Sequence, residues 1–174
     1  MKSRKKICLI AFCFIMLLAL STCAYAKPSK ATVKNKYKKY ISENINVKSY
    51  DKIKYIDINR NGVKEMLYCN NSGLYPLWEV YTYKNGKVIK TGQFWGSEGV
   101  FFSSKKKRIA AESYSGSGAF LCVYKLSGTK LKCVTEYRMG DLAMGGKYGR
   151  KNGKKIIAKK YYKETGNIHK WKRL

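Results

Sequence analysis

The chain has a single histidine, His169, among its 174 residues. Any Ser-His-Asp or Cys-His arrangement would have to be built on that one imidazole, which lies in a lysine-rich tail, so catalysis of that type is not expected. One His and a few scattered Cys give no clear zinc site. Only Cys69, Cys122 and Cys133 follow residue 26. That odd, low number does not make a disulfide framework. Negative charge is scarce as well: 10 Asp and Glu stand against 37 Lys and Arg, a net charge of +27. Six of those 37 are Arg, so bidentate forks for phosphate or carboxylate are few and lysine point charges dominate. The one long apolar run, Ile7 through Leu20, falls short of the ~20 residues of a membrane span.

What surrounds that run gives it a different meaning. Lys2, Arg4, Lys5 and Lys6 precede it, and Ala24-Tyr25-Ala26 follows it, just before Lys27-Pro28. A positive n-region, a short apolar core and an A-x-A site make residues 1–26 a cleavable signal peptide. The expectation is a secreted, extracytoplasmic chain with one domain over 27–174. Leu20-Ser21-Thr22-Cys23 has the outline of a lipobox, although Thr22 is bulkier than the Gly, Ala or Ser usual there; a lipid anchor on Cys23 is the lesser alternative. From residue 27 onward 33 basic residues face 10 acidic ones, or +23. Such a charge seeks anionic surfaces: a cell-wall polymer, acidic polysaccharide or an anionic membrane surface. Nucleic acid is not expected, because no RNA- or DNA-binding motif accompanies the charge. A Lys-, Asn-, Ile- and Tyr-rich chain is also what AT-rich coding produces, so the charge has a compositional explanation beside the functional one.

The hydrophobic period changes once. Val33, Tyr37, Tyr40 and Ile41 recur at helical spacing between Ala31 and about Asn44, with lysines on the other face, which predicts an amphipathic helix. Afterwards short alternating runs follow: 52–58, 66–69, 77–83, 87–90, 100–102, 108–114, 119–126 and 129–137. Asn85-Gly86 between two of them marks a hairpin. Five glycines within 139–153 mark a loop. Residues 154–163 and 168–171 read as strands around a turn at 164–167, a helix at 157–164 being the alternative. The fold class expected is α+β, mainly β: an N-terminal amphipathic helix followed by an antiparallel β-meander. If Ser127-Gly128 is the two-residue loop of a hairpin, Cys122 faces Cys133 closely enough for a bridge. Two buried free thiols are the equal alternative.

One segment carries metal chemistry. Asp57-Ile58-Asn59-Arg60-Asn61-Gly62-Val63-Lys64-Glu65 puts side-chain oxygens at positions 1, 3, 5 and 9, a Gly at 6 and the main-chain carbonyl of Val63 at 7, the alternation with which a chain curls around Ca²⁺. Tyr68 stands where an EF-hand needs its bidentate Glu, so this is not an EF-hand. The stretch from Tyr55 to Met66 resembles the D-x-D-x-D-G-x-x-E/D calcium loop of FG-GAP-type repeats. It resembles more closely a group of small secreted or lipid-anchored proteins of clostridial Gram-positive bacteria, in which a helix precedes a "DIDGDGIPEL"-like segment and a β-meander. That resemblance implies an extracytoplasmic β domain with a calcium-type loop. Here Asn59 and Asn61 replace Asp, and Arg60 sits within the loop. Only Asp57 and Glu65 bring negative charge, so the affinity expected is weak, on the order of 10⁻⁴–10⁻³ M. Asn61-Gly62 is also a good plain turn, with Asp57 and Asn59 as its stabilising side chains.

Two further patterns bear on function. Glu98 and Glu112 flank aromatic, glycine-rich segments, and paired carboxylates can cleave a glycan. Equally, they can be surface partners for lysines. Tyr75, Trp78, Tyr81, Tyr83, Phe94 and Trp95 would suit a sugar-stacking platform, or cross-strand pairs in a core. The balance is an exported, non-enzymatic domain that binds an anionic envelope component or extracellular ligand. A secreted wall-glycan hydrolase or inhibitor is the alternative.

Overall fold

The structure, a computed structural model, describes residues 27–73, 75–115 and 118–174. The signal segment 1–26, with Cys23, lies outside the described residues. Among the described residues helix α1 (Lys30–Asn44) comes first, beginning at residue 30 rather than at the N-terminus of the chain. Ser29 caps it, its hydroxyl oxygen accepting from the Thr32 N–H at 3.0 Å, which satisfies one of the donors a helix start leaves open. Four strands follow: β1 (Lys52–Ile56), β2 (Glu65–Asn70), β3 (Leu77–Lys84) and β4 (Lys87–Trp95). They form an antiparallel meander in the order β1-β2-β3-β4. Asn85 and Gly86 connect β3 and β4 with φ of 50° and 80°, the pair of positive values that a type I′ turn requires.

The remaining strands make a second sheet: β5 (Gly99–Ser103), β6 (Arg108–Ser115), β7 (Gly118–Ser127), β8 (Lys130–Arg138), β9 (Tyr148–Lys151), β10 (Lys154–Ile157) and the two-residue β11 (Lys172–Arg173). Their order is β10-β9-β8-β7-β6-β5-β11. Helix α2 (Ala158–His169) links β10 to β11.

Three clusters of buried side chains hold the layers together. Between the sheets, Ile58, Leu67, Trp78, Val80 and Phe94 meet Val100, Ile109, Ala111 and Leu126. On the far face of the first sheet, Val33 and Tyr37 of α1 cover Met66, Tyr68 and Tyr81. On the far face of the second, Tyr161 and Ile168 of α2 cover Phe101, Ala110, Leu121, Val123 and Tyr137. The result is an α/β/β/α stack. It explains why residues 65–69 are buried without a break: alternate side chains point to opposite faces, and both faces of β2 are covered.

The mainly β, antiparallel, meander-like architecture is as expected, with three corrections. The meander is divided between two sheets rather than running through one. The helix Lys30–Asn44 is not the only one: over 154–171, where strand, turn and strand were expected with a helix at 157–164 as the alternative, the chain forms β10 and then α2, which runs on to His169, and β11 follows at Lys172–Arg173. Alternation ends at Ile157, beyond which Tyr161, Thr165 and Ile168 are the buried residues, the spacing of one helical face. Finally, the β7–β8 loop is Gly128-Thr129, one residue later than expected. Gly128 has φ +60° and takes the first loop position, as in a II′ turn. Ser127 therefore pairs with Lys130 and Tyr124 with Cys133. A bulge between Val123 and Tyr124 then sets Cys122 opposite Glu136, and all three cysteines are free thiols.

Tyr37 ties α1 to the first sheet. Its ring is fully buried and its hydroxyl donates to the carbonyls of Lys64 at 2.9 Å and Tyr81 at 3.3 Å. Tyr37→Phe keeps the ring and removes the donor. The expected cost is ~1–2 kcal/mol, measured as a lower denaturation midpoint with an unchanged slope.

Candidate functional site

The loop of calcium type joins β1 to β2, and it has the compact form its sequence suggests. Asp57 accepts from two main-chain N–H groups, Asn61 at 3.1 Å and Gly62 at 2.7 Å. Asn59 Oδ1 accepts from the Asn61 N–H at 3.0 Å, and Asn61 Oδ1 accepts from the Val63 N–H at 2.7 Å. These Asx turns gather the side-chain oxygens of Asp57, Asn59 and Asn61 on one short segment. Arg60 and Gly62 take φ of 58° and 80°, so the loop reverses through two left-handed residues, and only the second is a glycine. A Cβ at Gly62 would run into the ammonium of Lys27, which lies against the loop.

Glu65 differs from the other four loop residues. Its exposure is 0%. Oε2 accepts from the Ile58 N–H at 2.8 Å and Oε1 from the Thr82 hydroxyl at 3.3 Å, so it ties the loop down from beneath. Burial, and then the charge of Asp57, push its carboxyl up to about 7. The donor set is hard oxygen throughout and suits Ca²⁺ or Mg²⁺ rather than a soft metal. It is poor in charge, and its one buried carboxylate already has two hydrogen-bond donors. Among the described residues no three His, Cys, Asp or Glu side chains cluster as a metal site.

The proposed glycan-cleaving residues adjoin through their main chains but do not form a pair of free carboxylates. Glu98 is exposed, and its N–H donates to the Glu112 carbonyl at 3.1 Å. The Glu112 carboxylate lies 3.2 Å from His169 Nε2, so α2 supplies its partner. The aromatic platform does not form either: Trp78, Tyr81 and Phe94 are core residues, whereas Tyr75 and Trp95 are 55% and 49% exposed. Cys122 is buried, and burial, then the nearby Cys133 thiol, push its thiol well above the usual range, which disfavours the thiolate.

One feature was not visible in the sequence, and a second sharpens what composition already indicated. An open groove of about 660 Å³ lies where α2 meets the second sheet, with Val123, Val134 and Tyr137 on its floor, Trp171 on its wall and Lys106 and Arg108 at its rim. Lys106 lies 5.4 Å from the Trp171 ring centre, and Arg108 donates to the Lys106 and Lys107 carbonyls at 3.3 and 3.0 Å. Both rim cations are thus engaged within the protein. The second feature is charge without partners. Among the described residues, four Lys or Arg side chains stand within ion-pair distance of a carboxylate: Lys39, Lys90, Arg138 and Lys151.

No family model, curated protein or solved structure matches the chain. Among the described residues no helix is long and apolar enough to cross a membrane.

Proposed function

We propose that this is a non-catalytic extracytoplasmic domain that binds an anionic polymer or surface of the cell envelope through its basic faces. The observation that carries this reading is the charge imbalance as it stands in three dimensions. Of 33 basic residues from Lys27 onward, four have a carboxylate within reach, while like charges face each other across strands at Lys125–Lys132, Arg150–Lys155 and Arg138–Arg150. Like charges directly opposite destabilise a sheet, and a polyanion converts that cost into attraction. A wall-glycan hydrolase or inhibitor is the alternative reading; of its two carboxylates, that of Glu112 is engaged by His169. Export rests on the signal-type segment 1–26.

The test is retention of the purified protein on isolated cell walls across a salt series. Binding through unpaired cations falls steeply between 50 and 500 mM salt, because exposed charges are screened over a Debye length of ~4–14 Å in that range. Retention that survives the highest salt would sink the reading.

A weak calcium site belongs to the same proposal, with Asp57, Asn59, Asn61, the Val63 carbonyl and Glu65 as donors. Calcium bound there would neutralise the mutual repulsion of Asp57 and Glu65 and brace the loop. At a Kd of ~1 mM, 5 mM calcium adds about 1 kcal/mol, or roughly 2–4 °C in melting temperature for a domain of this size. The rise is expected against EDTA at pH 7.5 and is absent in Asp57→Ala. An equal melting temperature with calcium and with EDTA would leave the loop a plain turn.

A further inference from the structure

We propose that the face of β8, β9 and β10 turned away from α2 is a binding strip for a linear phosphodiester polymer without aromatic bases, with Arg138, Arg150 and Lys155 as the cations that meet it. This rests on the reading above and specifies its surface and its ligand. The three cations lie in one line: Arg138 pairs in register with Arg150, and Arg150 with Lys155. Neighbouring strands are ~4.8 Å apart, so three positive side chains follow one another at close intervals across the sheet. Their direction is fixed by their neighbours. Tyr137 and Ile156 pack with α2, and a Cβ at Gly149 would strike Tyr161 of that helix. Alternation then sends Arg138, Arg150 and Lys155 to the opposite face, where all three are exposed.

Two of the five arginines beyond residue 26 fall in this line, so the scarce fork-shaped groups are concentrated where the sheet aligns them. Arg138 has a carboxylate partner in Glu136. Arg150 donates only to the Gly153 carbonyl, at 3.1 Å, and Lys155 lies 5.8 Å from the Tyr148 ring centre. Two cations of the line therefore lack a carboxylate among the described residues. Guanidinium forks and lysine point charges are both phosphate binders. The strip's exposed aromatic ring, Tyr148, has Lys155 over it, and Phe120, next in the line, is half-buried. Acidic sugars stacked on a ring, and single-stranded nucleic acids, which need stacking platforms, fit it poorly. A thin chain with its charges in the backbone fits it well. The groove at Lys106 and Arg108 is the weaker candidate, because its two cations lie two residues apart on one segment rather than in line across three strands.

The experiment titrates the purified protein with poly(glycerol phosphate) of about a dozen units at several salt concentrations. Polygalacturonate and single-stranded DNA serve as comparison polymers. Arg150→Thr/Lys155→Thr is compared with the groove variant Lys106→Gln/Arg108→Gln. The strip variant is expected to weaken poly(glycerol phosphate) binding about tenfold or more and to lower the salt slope by roughly 1–2, about 0.7 for each phosphate that is no longer neutralised. Its melting temperature without polymer should stay level or rise, because like charges no longer face one another, and that result excludes misfolding as the cause. The groove variant should bind as the unmodified protein does. Unchanged binding by the strip variant, or tighter binding of polygalacturonate or DNA by the unmodified protein, overturns the strip while leaving envelope binding in place. No salt-sensitive binding of any of the three polymers overturns both.

Discussion

In EDTA at pH 8, Glu65→Gln is expected to stabilise the protein by on the order of 3 kcal/mol, and at pH 4.5 the gain should shrink to well under 1 kcal/mol. The argument starts from the sealed position of Glu65, whose carboxyl is pushed up from 4.5 to about 7. An acid raised in the folded state holds its proton more tightly there than in the unfolded chain. Between about 4.5 and 7 the folded state therefore binds more protons, and stability falls as pH rises through that window. Above it the loss is complete, because folding then encloses a charged group. Glutamine has the shape of the protonated acid. Its oxygen can accept from Ile58 and its amide can donate to Thr82, so it keeps the loop tied down and does not ionise. Thermal melts of both proteins from pH 4.5 to 8 should diverge steadily, reaching roughly 5–10 °C at the top. Parallel curves would mean that Glu65 does not carry the shift.

Glu65→Ala separates this electrostatic effect from packing. It leaves the buried Ile58 N–H and the Thr82 hydroxyl without their acceptor and opens a cavity, so it should destabilise by ~3–4 kcal/mol at pH 4.5, where Glu65→Gln is close to neutral. Glu164 has the opposite sign. Hydrogen bonds from Lys151 and Tyr137 hold its carboxyl below the usual range, so its contribution is present above that range and is lost only as pH falls through the lowered value. It cannot imitate the Glu65 slope. Calcium should flatten the slope, because a cation in the loop favours the carboxylate.

The parts of this fold legible in the sequence are those fixed by neighbours along the chain. Helix α1 follows from the spacing of Val33 and Tyr37. The β3–β4 hairpin follows from Asn85-Gly86, whose positive φ values few other pairs tolerate. The Asx-bonded loop at 57–63 follows from side chains that bond to amides two to five residues on. What was not legible depends on distant partners. Glu65 is a buried acid because Thr82 and the Ile58 amide close over it, and nothing local distinguishes it from a surface ligand. The Arg138–Arg150–Lys155 line is assembled across the glycine-rich loop between β8 and β9, so no spacing rule reveals it. The cysteine register failed on one residue, since Gly128 serves as the first rather than the second residue of its turn. The aromatic residues of β3 and β4 were open to two readings until a second sheet covered one face of them.

Helix α2 was only the second reading of its segment, and Gly149→Ala tests why it docks where it does. Gly149 lies on β9 directly beneath the helix. A Cβ there would stand 2.5 Å from Tyr161 Cδ2, closer than side-chain carbons approach, and 3.0 Å from its Cγ and 3.1 Å from Leu142 Cδ1, tighter than most such contacts. The Tyr161 ring cannot easily yield, because it packs edge-on against Tyr137 with 6.3 Å between centroids. One added methyl should therefore cost ~1–3 kcal/mol through overpacking, seen as a lower denaturation midpoint. Tyr161→Ala alone should cost ~3–5 kcal/mol through the cavity it leaves. The double substitution should cost no more than Tyr161→Ala, since the methyl then enters the vacated space, and the two changes would be coupled by about the full overpacking term. Additive costs would show that the methyl is opposed by Leu142 rather than by the helix. The close approach of α2 to the sheet would then owe nothing to the glycine, and the tail's helical form would rest on the Tyr161, Thr165 and Ile168 face alone.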